Sequence, residues 1–235
     1  MKVAAIIYSR LGSKRLKNKA LIKLDQNTLL DHVILNTKKI KSLNKIVLAT
    51  TTLKNDKKLV NVAKKHKIDF FQGNNKNVLK RTVDCLEKKN IDFFLRVCGD
   101  RVFFDSQKID QIIKKIKKKK LYFDLLSSNI KKKVDEGLTI EIIATKGLKK
   151  ILKLNKKITN YDKEHITNNF YRFKNKYLLK EINLPNYFFL NLKYTIDDKI
   201  DVLRTKYILK NLKIKNFSKI VKNNFYWKKN EKKNV

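Results

Sequence analysis

The chain has 235 residues, of which 42% are hydrophobic, enough for one domain with a sizeable buried core. Lysine and arginine outnumber aspartate and glutamate by 58 to 21, which gives a formal net charge of +37. No apolar run approaches the roughly 18 residues of a membrane span, and two cysteines form no disulfide framework. We therefore expect a cytoplasmic protein without membrane insertion or a signal peptide.

The positive charge has two interpretations. It is typical of proteins that bind nucleic acid or a membrane surface. It is also typical of a codon bias towards lysine, asparagine and isoleucine, and the even spread of the lysines along the chain favours this second interpretation. In a lysine-rich chain the few arginines and glycines are informative. The arginines are Arg10, Arg15, Arg81, Arg96, Arg101, Arg172 and Arg204.

The first half of the chain alternates short apolar runs with amphipathic stretches. The runs at 2–8, 45–49, 68–71 and 92–98 are predicted strands, because they are strand-length and apolar. Helical spacing of apolar residues predicts helices over 28–40, 55–66, 77–88 and 106–118. This alternation predicts an α/β fold of three layers, with a mixed, mostly parallel sheet between helices.

The second half is less regular. Strands are predicted at 121–127, 138–144 and 188–196, and helices at 146–154, 163–173 and 200–212. No Gly/Ser linker or internal repeat divides the chain. We therefore predict one domain over residues 1–222 and a flexible tail over residues 223–235.

The loop after the first strand, residues 9–19, contains Gly12 among five cationic residues: Arg10, Lys14, Arg15, Lys17 and Lys19. Ligands of parallel sheets bind at the carboxyl ends of the strands, where this loop lies. Backbone amides and cations together can wrap a triphosphate, although the Walker A spacing is absent. The alternative is a solvated basic loop in a lysine-rich protein.

Two aspartates also follow apolar strands. Asp100 comes after Gly99 at the end of one strand, and Asp197 and Asp198 follow the predicted strand over 188–196. Mg²⁺ is usually held by one or two carboxylates plus phosphate oxygens, so this pair is a candidate metal clamp. The alternatives are a turn aspartate at position 100 and a helix cap at 197–198.

Several motifs, in order, resemble the SpsF-like sugar cytidylyltransferases, relatives of the CMP-sialic acid and CMP-KDO synthetases. They are Ile6-Ile-Tyr-Ser-Arg-Leu-Gly-Ser-Lys-Arg-Leu16 with Lys19, Val47-Leu-Ala-Thr-Thr-Thr52, Phe71-Gln-Gly73 through Val78-Leu-Lys-Arg81, Leu95-Arg-Val-Cys-Gly-Asp100, Asp135-Glu-Gly-Leu-Thr-Ile-Glu141, Glu164-His-Ile-Thr167 and Tyr194-Thr-Ile-Asp197. The resemblance implies a Rossmann-like nucleotide-diphospho-sugar transferase fold of the GT-A type, a homodimer, and CTP and a sugar as substrates.

The resemblance also implies roles for individual residues. Lys19, Arg10 and Asp100 would be catalytic. The nucleotide would be bound by Arg10, Gly12, Ser13, Lys14, Arg15, Lys19, Thr50, Thr51 and Arg81. The sugar would face Glu141, Glu164, His165 and Arg172, and Asp100 and Asp197 would bind Mg²⁺.

The reaction expected from the resemblance is attack of a sugar hydroxyl on the α-phosphorus of CTP, with pyrophosphate leaving. The sugar is expected to be an acidic, nonulosonic-type sugar used for surface polysaccharide. Two alternatives remain open at this point. One is glycosyl transfer from a sugar nucleotide, and the other is a non-enzymatic basic protein that binds nucleic acid, although no nucleic-acid-binding motif supports a specific interaction.

Overall fold

The fold was obtained as a computed structural model, which describes residues 1–13, 15–154, 158–212 and 216–231. Seven strands form one sheet: β1 Val3–Tyr8, β2 Lys45–Thr51, β3 Asp69–Gly73, β4 Phe93–Cys98, β5 Leu125–Ser127, β6 Glu141–Ala144 and β7 Leu179–Glu181. Their order is β3-β2-β1-β4-β6-β5-β7. Strand β6 runs antiparallel to β4 and β5, and all other neighbouring pairs are parallel. The predicted mixed, mostly parallel sheet is confirmed.

Helices cover both faces of the sheet. They are α1 Leu29–Thr37, α2 Lys57–Lys65, α3 Val78–Lys89, α4 Ser106–Lys118, α5 Thr145–Leu154, α6 Asn160–Glu164, α7 Asn168–Arg172, α8 Lys199–Lys210 and α9 Phe217–Lys229. Within the described ranges, no helix combines the length and apolarity needed to cross a bilayer.

The side chains of β1 explain the layering. Val3, Ala5 and Ile7 pack into the apolar cluster on one face of the sheet, which includes residues of α1 and α4. Ala4 and Ile6 pack into the cluster on the other face, with residues of α3 and α5. Because successive side chains of a strand point to opposite faces, one uniformly apolar strand holds the three layers together.

The order of the strands places a crevice beside β1. The chain runs from β1 to β2 and β3 on one side, and then crosses to β4 on the other side of β1. At such a switch in direction the connecting loops diverge, which leaves a crevice at the carboxyl ends of β1 and β4. The loop over 9–19 and Asp100 both follow these two strand ends.

Two predictions from the second half need correction. The helix predicted over 163–173 is two short helices, α6 and α7, interrupted at His165–Thr167. The strand predicted over 188–196 is a short 3-10 turn followed by an irregular segment. Leu192, Tyr194 and Ile196 of this segment are buried with the expected period of two, but pairing with 136 is limited to an isolated bridge.

The flexible tail predicted from residue 223 is also wrong where the structure describes it. Helix α9 runs to Lys229, with Ile220, Val221, Asn224 and Trp227 buried at helical spacing. Burial of this apolar stripe against the domain orders a segment whose lysines and asparagines suggest a tail. Residues 232–235 of that prediction lie outside the described residues.

Candidate active site

The loop after β1 is held in place by a hydrogen bond to a buried aspartate. The amide of Leu11 donates a hydrogen bond of 2.8 Å to Asp56, and the hydroxyl of Thr51 donates to the other oxygen of the same carboxylate. Thr50 and Thr51 are fully buried, and the hydroxyl of Thr50 has no partner among the described residues. Both threonines are therefore buried, and neither lies on the surface of the crevice.

A close approach of two strand ends aims Asp100 at this loop. The amide of Gly99 donates to the carbonyl oxygen of Tyr8 at 2.8 Å. A Cβ atom at position 99 would lie 2.6 Å from the same oxygen, so a side chain would force the strand ends apart. Glycine thus lets β4 turn tightly over the end of β1.

The two predicted metal-binding aspartates meet at one ammonium group. The Nζ atom of Lys19 lies 3.0 Å from Asp100 Oδ2 and 3.2 Å from Asp197 Oδ1. Arg15 contacts the same oxygen of Asp197 at 2.9 Å. The backbone also joins the two segments that carry these aspartates, because the amide of Ile196 donates to the carbonyl oxygen of Asp100 at 3.1 Å. The structure therefore brings together residues predicted from three separate motifs.

Asp197 is ionised in this arrangement. Its burial opposes the charged form, but Lys19, a hydrogen bond from Thr195 and the nearby Arg15 outweigh burial and hold the pKa of Asp197 below its usual value. The hydroxyl of Thr195 lies 3.0 Å from Asp197 Oδ2 and 2.6 Å from Glu136 Oε1. Its single proton can be donated to only one of these oxygens at a time.

The charge and geometry of Asp100 and Asp197 fit a divalent cation, because both carboxylates already contact one positive group. Oxygen ligands of this kind suit Mg²⁺, which keeps its other positions for water and phosphate. Among the described residues there is no cluster of three or more potential metal ligands, so this pair would need substrate oxygens to complete such a site.

Beside the aspartates lies a cleft of about 210 Å³ at the carboxyl ends of β1 and β4. Its lining residues are Tyr8, Ser9, Arg10, Val78, Arg81, Arg96, Cys98, Glu164, His165 and Ile166. Arg10 and Glu164 form an exposed ion pair of 3.0 Å across it. The ring of His165 lies 4.3 Å from that of Tyr161. Three arginines make the cleft a suitable site for an anionic ligand.

Arg96 is held on the floor of the cleft by a buried network. Its Nε atom lies 2.9 Å from Glu141 Oε2, as an ion pair without the alignment of a hydrogen bond. Tyr171 donates to the other oxygen of Glu141 at 2.8 Å. Burial opposes ionisation of Glu141, but Arg96 and Tyr171 together hold its pKa below the usual value. Glu141 is therefore an ionised support for Arg96, buried beneath the cleft.

Some of the other predicted site residues do not line the cleft. Arg172 donates to Asp162 at 3.0 Å and is not among the residues that line the cleft. Arg81 lines the cleft, donates to the carbonyl oxygen of Asn74 at 2.7 Å, and has an Nε atom without a partner among the described residues. Gly12 is exposed and Ser13 half-buried in the loop, whereas Lys14 lies outside the described residues.

The role assignments made from the sequence omit several residues that the structure places at the site. Arg96 and Tyr8 line the cleft, and Thr195 contacts Asp197. The rarity of arginine in the chain was the signal that could have identified Arg96. No comparable signal marks Tyr8 or Thr195, since tyrosine and threonine are ordinary in strands.

Comparison with known proteins identifies the family of the chain. A family model described as cytidylyltransferase matches residues 4–232. An uncharacterized protein of Methanocaldococcus jannaschii, MJ1063, is 32% identical over 187 residues, which cover 80% of this chain and 74% of that protein. The spore coat polysaccharide biosynthesis protein SpsF of Bacillus subtilis is 31% identical over 112 residues, 46% of this chain and 47% of that one.

Solved structures share the fold. A cytidylyltransferase from Leptospira borgpetersenii superposes with a TM-score of 0.87 at 24% identity, covering 99% of this chain and 96% of that chain. A CMP:2-keto-3-deoxy-manno-octonic acid synthetase complexed with CTP superposes with a TM-score of 0.66 at 10% identity, covering 89% and 99% of the two chains. The fold predicted from the sequence motifs is therefore confirmed.

Proposed function

Because the chain belongs to the cytidylyltransferase family, we propose that it transfers CMP from CTP to a hydroxyl group of an acidic sugar and releases pyrophosphate. The observation that carries this proposal is the position of Lys19 between Asp100 and Asp197, at the end of the loop that follows β1. A cationic loop next to two carboxylates can hold a triphosphate and a cation side by side.

In this mechanism the loop binds the triphosphate. Arg10, Arg15 and Lys19 offset its charge and hold the α-phosphorus in line with the attacking hydroxyl. As the bond to pyrophosphate breaks, negative charge grows on the leaving group, and Lys19 is placed to stabilise it. Mg²⁺, which Asp100 and Asp197 would hold, would lower the pKa of the attacking hydroxyl and neutralise charge on the phosphate.

The cleft supports the choice of an acidic sugar. Arg81 and Arg96 are its interior cations, and Arg96 keeps a fixed orientation through Glu141. A guanidinium held in this way recognises a carboxylate with little loss of side-chain entropy. His165 and Glu164 lie at the same cleft, where they can contact sugar hydroxyls. This supports a nonulosonic-type sugar over a neutral one.

One assay with purified protein tests the proposal. The protein is incubated with Mg²⁺, each nucleoside triphosphate and a panel of acidic and neutral sugars, and pyrophosphate is measured. We expect pyrophosphate from CTP with an acidic sugar. Transfer from a ready-made sugar nucleotide, without release of pyrophosphate, would instead establish a glycosyltransferase.

Two variants connect the assay to the site. Asp100→Asn should abolish product formation and leave the fold intact, because the amide keeps the shape of the side chain but removes its charge. Asp84→Asn is the matched control, since Asp84 pairs with Lys80 on the exposed face of α3, away from the crevice. Turnover by Asp100→Asn equal to that of the control would refute the assignment of Asp100.

The family resemblance also leads us to propose a cytoplasmic homodimer that acts in surface polysaccharide biosynthesis. The two cysteines are free thiols, as a reducing compartment would keep them. Light scattering at twice the mass of one chain would support the dimer, and the mass of a single chain at micromolar concentration would contradict it.

A further inference from the structure

The helix that follows Asp197 begins with a capping box. The side chain of Asp198 accepts from the amide of Asp201 at 2.9 Å, and Asp201 Oδ2 accepts from the amide of Asp198 at 3.2 Å. Helix α1 begins in the same way, with Thr28 and Asp31. A box of this kind satisfies two orphan amides and stabilises the first helical turn.

Asp201 makes contacts that a capping box does not require. Its Oδ2 atom also accepts from the amide of Asp197 at 2.7 Å and from Lys193 Nζ at 2.6 Å. Its Oδ1 atom accepts from Arg204 at 2.7 Å, and Arg204 donates a second bond of 2.7 Å to the carbonyl oxygen of Thr195. Asp201 is 2% exposed, so these bonds are shielded from water.

These hydrogen bonds, with one from Ile196, fix the backbone of three consecutive residues. The carbonyl of Thr195 is held by Arg204, the amide of Ile196 by the carbonyl of Asp100, and the amide of Asp197 by Asp201. With its backbone fixed, Asp197 can change its direction only by side-chain rotation. Its two oxygens are in turn oriented by Lys19 and Thr195.

We propose that Asp201 is a positioning residue, which acts through the backbone of Asp197 to aim that carboxylate at Lys19 and Asp100. The proposal rests on the proposed function, in which Asp197 holds a cation beside the triphosphate. Groups that orient a cation-binding carboxylate in this way change affinity or activity by roughly 10–100-fold when they are lost.

The charges around Asp201 explain why an uncharged side chain could not make the same set of contacts. Lys193 lies 2.6 Å from Asp201 and 3.8 Å from Asp197 and Asp198, so three carboxylates share its single positive charge. An asparagine at 201 keeps one oxygen but turns an NH₂ group towards Lys193 or Arg204. At least one of the fixed contacts is then lost, and the direction of Asp197 is no longer determined.

Asp31 provides a matched control for the experiment. It is also 2% exposed, it occupies the same position of a capping box, and it also has basic partners, Lys65 and His66. It lies on α1, and its hydrogen-bond partners among the described residues, Thr28, Lys65 and His66, do not include Asp197 or Asp100. Asp201→Asn and Asp31→Asn should therefore lower the melting temperature by similar amounts.

The two variants should differ in function. Asp201→Asn should lower kcat by roughly 10–100-fold with a smaller change in KM for CTP, and should weaken Mn²⁺ binding, followed by electron paramagnetic resonance, by roughly tenfold. Asp31→Asn should match wild type in kcat and Mn²⁺ affinity. If Asp201→Asn resembles Asp31→Asn in both measurements, Asp201 is only a helix cap and the proposal is overturned.

A second variant covers the case in which Asp201→Asn does not fold. Arg204→Lys keeps a positive charge beside Asp201 but cannot also reach Thr195, so it should lower kcat and Mn²⁺ affinity by a few-fold each. Unchanged values in Arg204→Lys would contradict the proposal. Absence of pyrophosphate release in wild type would instead refute the proposed function, while the comparison of Mn²⁺ affinities would still decide the role of Asp201.

Discussion

The amide of Ile196 donates a hydrogen bond of 3.1 Å to the carbonyl oxygen of Asp100. This bond joins the end of a central strand to a segment from the far end of the chain, immediately before Asp197. It is the reason that two distant carboxylates approach the same ammonium group, that of Lys19. The site thus depends on backbone contacts as much as on the charged side chains.

Lys19 is the first residue to test. Lys19→Met removes the cation shared by two partly buried carboxylates, so we expect kcat to fall by roughly 100–1,000-fold, as for loss of a group that stabilises developing charge. The pKa of Asp197 should rise from its lowered value, because Lys19 is the strongest of the groups that lower it. Steady-state kinetics and a pH–rate profile measure the two effects.

Lys17→Met serves as the control for this variant. Lys17 lies in the same loop and carries the same charge, but it is exposed. If both lysine variants lose activity equally, the overall positive charge of the loop is what matters. Such a result would contradict a specific role for the ammonium group of Lys19.

Two glycines at the crevice should respond differently to alanine. Gly99→Ala places a methyl group against the backbone of Tyr8 and should destabilise the fold by about 1–3 kcal/mol. At Gly12 nothing lies within 4 Å of an added Cβ, so Gly12→Ala should change stability by less than about 0.5 kcal/mol. Thermal unfolding of the two variants compares these costs.

Gly12→Ala should nevertheless raise KM for CTP by roughly tenfold, the loss expected when a methyl group keeps phosphate from one backbone amide. Calorimetric titration with CTP would measure the same change. Equal CTP affinity in Gly12→Ala and wild type would show that the backbone at Gly12 does not contact the triphosphate.

The sequence predicts the first half of the fold and the location of the crevice well, and the reason is physical. Central parallel strands such as β1 are buried on both faces, so they appear as unbroken apolar runs. The loops after them must contain the site, because the fold brings the strand ends together. This rule and the family resemblance predict Lys19, Asp100 and Asp197 as candidates, and the structure brings the three side chains together, although the segment before Asp197 is not a strand.

The partners of individual site residues, and the structure of the segment before Asp197, depend on tertiary contacts that no local sequence pattern reveals. Thr51 is the last residue of β2, at the end of the strand where a binding residue is expected, yet its hydroxyl donates to Asp56. Arg172 is one of few arginines, but Asp162 binds it. The segment over 188–196 has the alternation of a strand, but instead of a ladder its backbone makes scattered contacts, such as those with 136, Asp100 and Arg204. The packing of the fold, and not the residue type, decides which groups contact each other.

The buried pair of Arg96 and Glu141 gives a prediction about stability. Glu141→Gln leaves the guanidinium of Arg96 without its counter-charge, which should cost about 3 kcal/mol of unfolding free energy. Tyr171→Phe removes one hydrogen bond to the same carboxylate and one with Ser127, and should cost about 2 kcal/mol. Urea unfolding at neutral pH measures both costs. Equal stability of Glu141→Gln and wild type would mean that Glu141 does not stabilise Arg96.

Replacement of Arg96 should weaken binding of the sugar more than binding of CTP. Arg96→Met keeps the length and apolar stem of the side chain but removes the charge on the cleft floor. KM for the acidic sugar should rise by roughly tenfold or more, the loss expected for one charge-assisted hydrogen bond, while KM for CTP changes little. An equal rise in both KM values would indicate a structural defect and would contradict a role in binding the sugar.

Helix α9, where the sequence suggests a tail, should matter for both stability and the site. Trp227 is 4% exposed and packs against Tyr207 of α8, with ring centroids 5.2 Å apart, whereas Phe225 on the same helix is 53% exposed. Trp227→Ala should therefore cost about 3–5 kcal/mol of unfolding free energy. Phe225→Ala should stay within about 0.5 kcal/mol of wild type. A frayed tail would instead make the two variants equally stable.

The same helix supports the segment that leads to Asp197. Asn224 donates to the carbonyl oxygen of Lys193 at 2.9 Å, and Lys228 donates to that of Asn191 at 2.7 Å. Truncation after residue 222 removes both bonds together with the buried Trp227. We expect the truncated chain to lose thermal stability and, below its melting temperature, to bind Mn²⁺ more weakly than wild type. Wild-type Mn²⁺ affinity in a folded truncated chain would show that α9 stabilises the domain without orienting Asp197.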